Sequence, residues 1–150
     1  MAPLALPRLG RLTIATNNAG LTAPSFNGFD VQYVNESSAV ALTVSANVPW
    51  DLRLRNNQGG GSGFWTGTST PGAGIAAAAT KPASELLASP TFGAGYLAIP
   101  NSQAASINVL TNQPAVGARN VPLYLRSVWS YTFDTPGSYS LITALSLVLY

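Results

Sequence analysis

The chain has 150 residues, of which seven Lys and Arg and five Asp and Glu make only 8% charged, with a net charge of +2; an average globular protein is about 25% charged. Because the chain contains no Cys and no His, disulfide frameworks, thiolate or imidazole metal sites, cysteine nucleophiles and Ser-His-Asp triads are excluded. The length predicts a single domain, and seven scattered cations do not form the basic surface that nucleic-acid binding requires.

The first ten residues, 1–10, are predicted to form an N-terminal arm in front of one β-sandwich domain over residues 11–150. Pro3, Pro7 and Arg8 interrupt the apolar residues of this arm, so it lacks the pattern of a signal peptide. The prolines also stiffen the arm and lower the entropy that is lost when it becomes ordered.

Short segments of alternating apolar and polar residues recur between turn-forming residues along the chain, which is typical of an all-β domain. We therefore predict a single antiparallel two-sheet sandwich, immunoglobulin-like or jelly roll, with about eight strands and at most one short helix. The predicted strands are 11–16, 29–35, 40–46, 50–55, 96–99, 106–111, 121–133 and 139–150.

Residues 80–88 form the best helical segment, since Thr80 is suited to cap it and Pro82 to stand in its first turn. The preceding residues, 75–80, fit either a strand or the start of a helix. The Gly-rich loop 56–63 contains no Lys and therefore does not match a phosphate-binding loop.

The last predicted strand, 139–150, is apolar on both of its faces. It is too short for a membrane-spanning helix, which needs about 20 residues, so we predict no membrane span. An exposed strand of a monomeric sandwich should be polar on one side. Either a loop covers the second face, or that face lies at a contact between subunits. The low charge of the whole chain favours the subunit contact, because little repulsion would oppose association.

Six residues are predicted to take part in self-assembly. The first three are apolar residues of the arm, and the others belong to the second face of the last strand: Leu4, Leu6, Leu9, Ile142, Val148 and Tyr150.

Trp65 follows the Gly-rich loop and is the best candidate for contact with a ligand such as a sugar, because aromatic rings stack on pyranose rings. Trp50 and Trp129 are in phase with apolar strand residues, so we expect them in the core. Packing inside the domain is the alternative role of Trp65.

The carboxylates do not form a recognisable catalytic or metal-binding pattern. Asp51 alternates outward beside Arg53, Asp134 opens a turn, and Glu85 lies on the predicted helix. We therefore expect no catalytic residues, no metal ligands and no cofactor.

Three segments carry a resemblance to known proteins. They are 39–54 (AVALTVSANVPWDLRL), 81–86 (KPASEL) and 135–139 (TPGSY) followed by an alternating strand. They resemble bacterial surface domains of the spore-coat-U and WxL kind, and the resemblance implies an immunoglobulin-like sandwich on a cell surface or in a fibre. Such proteins normally carry a signal peptide, and coat-U domains often carry Cys, features that this sequence does not show.

Together these observations predict a non-catalytic structural subunit of a repetitive extracellular assembly, with a virion coat or decoration protein as the first hypothesis. The alternatives are a secreted bacterial cell-surface or fibre subunit and a carbohydrate- or receptor-binding module. The expected partners are further copies of the chain and other coat or surface subunits, with no nucleic acid and no membrane span.

Overall fold

The computed structural model describes residues 6–15, 19–59, 63–69 and 81–150. Leu4 and the ambiguous segment 75–80 lie outside these ranges. Eleven strands are found in the described part of the chain, in this order: β1 (Gly10–Ile14), β2 (Tyr33–Asn35), β3 (Val40–Ala46), β4 (Trp50–Asn56), β5 (Thr66–Ser69), β6 (Leu86–Ser89), β7 (Leu97–Ala98), β8 (Ile107–Gln113), β9 (Val116–Val128), β10 (Gly137–Ser140) and β11 (Thr143–Leu149).

The strands form two main antiparallel sheets and a separate ribbon. The large sheet has the order β1-β3-β9-β6-β7, and β2 also pairs with β9. The small sheet has the order β11-β4-β8, and β10 pairs with β5 in the ribbon. No helix in the described ranges is long and apolar enough to cross a membrane.

The core lies between the two main sheets. In β3, Leu42, Val44 and Ala46 are buried and alternate with residues that are less buried. In β4, Leu52 and Leu54 are buried in the same way, and they belong to one hydrophobic cluster with the β3 residues. One shared core between sheets is the arrangement of a sandwich, so the predicted all-β sandwich is confirmed.

Strand β1 of the large sheet lies against β11 of the small sheet. A Cβ atom placed on Gly10 would come within 2.8 Å of side-chain carbons of Leu147 and Leu149. Since real side chains do not approach so closely, glycine at position 10 allows β1 and β11 to make this contact.

The long strand β9 holds the large sheet together. Its residues 116–123 pair with β3, whereas residues 124–128 pair with β6 and β2. The strand ends at Val128, before Trp129. The chain then turns back, and the Asp134 amide closes this turn by donating to the Ser130 carbonyl at 3.0 Å. The predicted strand 121–133 is therefore wrong in its last part.

Two further segments differ from the prediction. Residues Phe26–Asp30 form α1, the only α-helix of the described residues. The predicted strand 29–35 therefore begins later than expected, as β2 at Tyr33. The predicted helix 80–88 is a 3₁₀ turn at Ala83–Glu85 followed directly by β6. Leu86 and Ala88 alternate into the core, and this burial favours the strand over a second helical turn.

The predicted strand 139–150 is divided in two at Leu141 and Ile142. Strand β10 pairs with β5, whereas β11 pairs with β4 over its full length. The two halves serve different partners, and a break between them allows the chain to change sheet.

The shared core predicts a large difference between two Leu→Ala substitutions. Leu52 is fully buried in the middle of the small sheet, whereas Leu97 on β7 is 45% exposed. We expect Leu52→Ala to lower the free energy of unfolding by about 3 kcal/mol, and Leu97→Ala by less than about 1 kcal/mol. Urea unfolding measures both values, and equal losses would contradict the assignment of Leu52 to the core.

Candidate functional site

The most unusual polar group of the molecule is the ammonium of Lys81, the only lysine in the chain. Its side chain is fully buried. Nζ donates to Glu85 Oε2 at 2.7 Å, to the Val128 carbonyl at 2.5 Å and to Asp134 Oδ1 at 3.0 Å. An ammonium has three N–H donors, so each has an acceptor, as a buried charge requires.

Aromatic rings enclose the same ammonium. Nζ lies 4.2 Å from the ring centroid of Trp129, 5.6 Å from that of Trp65 and 6.0 Å from that of Tyr139. Such contacts attract a cation electrostatically and exclude water from it. We call Lys81, Glu85, Asp134 and these three rings the lysine cage.

Backbone hydrogen bonds fix the lysine cage. The Trp65 amide donates to the Lys81 carbonyl at 2.9 Å, and the Trp65 indole N–H donates to the Pro82 carbonyl at 3.0 Å. On the other side, the Ser130 amide donates to Asp134 Oδ2 at 2.7 Å. The cage therefore joins the segment before β5, the 3₁₀ turn and the turn that follows β9.

Sequence reasoning did not find the lysine cage. It placed Asp134 in a turn and Glu85 on a helix, and both positions are close to the structure, but it gave Lys81 no role. The available signal was that the only lysine stands directly before a proline, with tryptophans on either side in the sequence. Alternation along a strand does not report such a contact, because Lys81 and Asp134 are 53 residues apart.

An aromatic cleft of about 630 Å³ lies beside the lysine cage. Residues 21–24 form one wall and residues 134–139 the other. Phe29 and Tyr131 stack at its mouth, with ring centroids 4.7 Å apart. Cleft walls of this kind, mostly apolar with a few polar groups, are typical of ligand-binding sites.

Two carboxylates support the mouth of this cleft. The buried Glu36 accepts hydrogen bonds from the amide and the hydroxyl of Thr22, both at 2.8 Å, and so holds the first wall in place. The Tyr131 hydroxyl donates to Asp30 Oδ1 at 3.3 Å. Desolvation of the hydroxyl, and then the charge of Asp30, raise the pKa of Tyr131 above its ordinary value.

Trp65, the predicted ligand contact, lines the cleft but is only 3% exposed. Its indole N–H is bonded within the fold, so the ring forms part of the cleft floor. Trp50 and Trp129 are buried as expected. The contact between Trp65 and a ligand stays a prediction.

Two of the predicted self-assembly residues that the structure describes, Leu9 and Tyr150, meet at one corner of the molecule. Leu9 lies beside Asn47, whose side chain accepts from the Leu9 amide at 2.7 Å and donates to the Pro7 carbonyl at 2.9 Å. Tyr150 reaches the same corner, since its amide donates to the Pro49 carbonyl at 3.0 Å. We call residues 47–49, with the arm and the end of β11, the arm corner.

The other three residues, Ile142, Val148 and Leu6, lie at separate positions. Ile142 is exposed at the opposite end of β11, where its amide donates to Gln58 Oε1 at 2.9 Å. Val148 is half-buried and pairs with Asp51 of β4. Leu6 extends the arm and is 82% exposed. Their part in self-assembly stays a prediction.

The end of β11 is fastened to β4 by a polar contact. The Tyr150 hydroxyl donates to the carboxylate of Asp51, which is buried and also accepts from the Asn112 amide at 2.8 Å. The tyrosine hydroxyl, followed by the Asn112 amide, lowers the pKa of Asp51 below its ordinary value. The carboxylate in turn raises the pKa of Tyr150.

Comparison with known proteins found no family, no curated protein and no solved structure that matches this chain. In the described ranges, no group of three or more acidic side chains is placed to hold a metal ion. The site must therefore be interpreted from its own geometry.

The Asp51–Tyr150 contact predicts a loss of stability at both ends of the pH range. The pKa of Asp51 is lowered from 3.8 by folding, so its contribution is lost as the pH falls from that value through the folded pKa. The pKa of Tyr150 is raised from 10.0, so its contribution is lost as the pH rises from that value.

We expect Tyr150→Phe to make the melting temperature less sensitive to pH in both ranges, because it removes the hydrogen bond that shifts both groups. Circular dichroism melts from about pH 2 to about pH 11 would measure this. Tyr33→Phe is the control, since the Tyr33 ring lies against Arg126, away from Asp51. Identical pH profiles for Tyr150→Phe and the unsubstituted protein would contradict the expectation.

Proposed function

We infer that this protein is a non-catalytic structural subunit that assembles with further copies of itself through the open edge of β11 and the arm beside it. The assembly is repetitive and extracellular, and a virion coat or decoration protein is the form that we favour. A secreted bacterial cell-surface or fibre subunit is the alternative, and it would use the same surface.

The open edge of β11 carries this proposal. Strand β11 is the last strand of the small sheet, and none of the described residues pairs with its outer edge. Its sequence, TALSLVL, contains no charged residue, no proline and no glycine. Native edge strands usually carry such residues or bulges, because an unprotected edge pairs with other chains. An edge that lacks all of these features is suited to pairing with another copy.

The opposite edge of the same sheet provides a contrast. Strand β8 is also free of charged residues, but its pairing with β4 is interrupted by two register shifts. Asn112 of β8 has a left-handed backbone, with φ of 48°. Bulges and irregular backbone of this kind protect an edge, so association favours β11.

The arm extends the apolar surface next to β11. Leu6 and Leu9 are 82% and 60% exposed, although the Asn47 hydrogen bonds hold the backbone between them. Exposed leucines on a fixed backbone lose little further entropy when a partner covers them. They are therefore suited to contact a neighbouring copy.

A single charge on β11 tests the proposal. Ser146 lies opposite Arg53 in the small sheet, so Ser146→Glu gains an opposite charge across the strands and should preserve the fold. Two such strands brought edge to edge would repel each other. We expect the mass in solution, measured by light scattering, to shift from oligomer towards monomer.

Thr111→Glu on the exposed part of β8 is the matched control, and it should leave the oligomer unchanged. Leu6→Ser combined with Leu9→Ser should weaken assembly and leave the melting temperature of the dilute monomer unchanged. A protein that is monomeric at all concentrations, or an oligomer that Ser146→Glu leaves intact, would refute assembly through β11.

The aromatic cleft favours a second function, a carbohydrate- or receptor-binding module. Tyr131 stands at the cleft mouth with 59% of its surface exposed, and the hydroxyl of Thr22, a wall residue, is fixed by Glu36. Phe29 stacks on one face of the Tyr131 ring, and the part of the ring that stays exposed, beside hydrogen-bonding groups, suits a sugar ring.

Glycan-array binding would test this second function. We expect Tyr131→Ala to weaken any sugar binding by about tenfold, because the stacking face is lost. Tyr33→Ala, on β2 outside the cleft, should have no effect. Absence of binding by the unsubstituted protein, or equal binding by both variants, would reject the cleft as a sugar site.

A further inference from the structure

The lysine cage brings together an amine and a carboxyl group that can react with each other. Lys81 Nζ lies 3.0 Å from Asp134 Oδ1. Both side chains are almost completely buried, Lys81 with 0% and Asp134 with 4% of the side chain exposed. They belong to segments that are remote in the sequence, so a bond between them would close a long loop of the chain.

The surroundings favour reaction over a simple ion pair. Trp65 and Trp129 exclude water from Nζ, and with both side chains almost completely buried no solvent separates the amine from the carboxyl group. Transfer of a proton from the ammonium to a carboxylate leaves a neutral amine, which is a nucleophile. Because the fold holds the two groups in contact, they do not have to meet by diffusion. This is equivalent to a local concentration of about 10⁵ M or more.

Two further groups are placed to assist. The Ser130 amide donates to Asp134 Oδ2 at 2.7 Å, where it would polarise the carbonyl and stabilise negative charge on this oxygen. Glu85 Oε2 lies 2.7 Å from Nζ, so it can take a proton from nitrogen and deliver it to the departing oxygen. The Glu85 side chain is 28% exposed, which provides a way out for water.

We propose that Lys81 and Asp134 form an intramolecular amide cross-link, with Glu85 as the proton carrier. The Nζ lone pair forms a bond to Cγ of Asp134, and the bond between Cγ and Oδ1 breaks. The ammonium gives up two protons to Oδ1, which leaves as water, while Oδ2 becomes the amide oxygen and keeps its bond to Ser130. No oxidant, reductant or further reactant is required, and the reaction occurs once per chain.

Intact-mass spectrometry of the folded full-length protein tests the cross-link. Sequencing of the N-terminal peptide first identifies the residue at which the protein begins. We then expect a mass that is one water molecule lower than the mass calculated from the sequence. Since Lys81 is the only lysine, an amine-reactive reagent in denaturant should label only the N-terminus. A full mass together with labelling of Lys81 would overturn the proposal.

Cleavage after arginine locates the bond. It separates fragment 56–119, which contains Lys81, from fragment 127–150, which contains Asp134. We expect the two fragments to remain joined as one branched peptide. A loss of water confined to fragment 56–119 would point to Glu85 as the acceptor and would overturn the assignment to Asp134.

Variants separate the roles of the two carboxyl groups. Asp134→Ala should abolish the cross-link, whereas Asn120→Ala, on the exposed part of β9, should not change it. Glu85→Gln should slow the loss of water by about a hundredfold without preventing it. Within this slow variant, the melting temperature should rise by about 10 °C as the cross-link forms. If Glu85→Gln reacts as fast as the unsubstituted protein, Glu85 is not the proton carrier.

Discussion

The burial of the Lys81 ammonium constrains the three segments of the chain that surround it. A charged group inside a protein is destabilising unless it is fully paired, and Lys81 meets that condition with Glu85, the Val128 carbonyl and Asp134. These acceptors come from the 3₁₀ turn, the end of β9 and the turn that follows it. The paths of the chain into β6 and out of β9 must therefore fit one set of three hydrogen bonds.

Several of the few charged side chains are buried, which leaves even fewer charges on the surface. Lys81, Glu36, Asp51 and Asp134 all direct their charged groups into the fold, although the whole chain has only 8% charged residues. Each of these charges serves an internal contact: the lysine cage, a cleft wall or the end of β11. The charges that remain are six arginines, Asp30 and Glu85, so the surface has few charged groups and is weakly basic.

Much of the fold could be predicted from the sequence, because β3 buries every second residue and alternation reports burial directly. Strand β4 follows the same pattern except at Asp51, which was expected to face outward and is buried beneath Tyr150. The break at Leu141 and Ile142 could not, since alternation continues across it and does not reveal which partner each half pairs with. The lysine cage was missed for a related reason: its contacts join residues far apart in the chain. The sequence indicated Trp65, which forms the floor of the cleft, but it did not show that Tyr131 and Phe29 stack at the mouth.

Glycine at position 10 has a mechanical consequence. Because it allows β1 to lie directly against Leu147 and Leu149 of β11, the chain passes through one corner both as it enters the sandwich and as it completes the small sheet. Leu147 and Leu149 also pack against the hydrophobic core, so a pulling force applied between these two strands would act on this corner and be passed on to the core beside it.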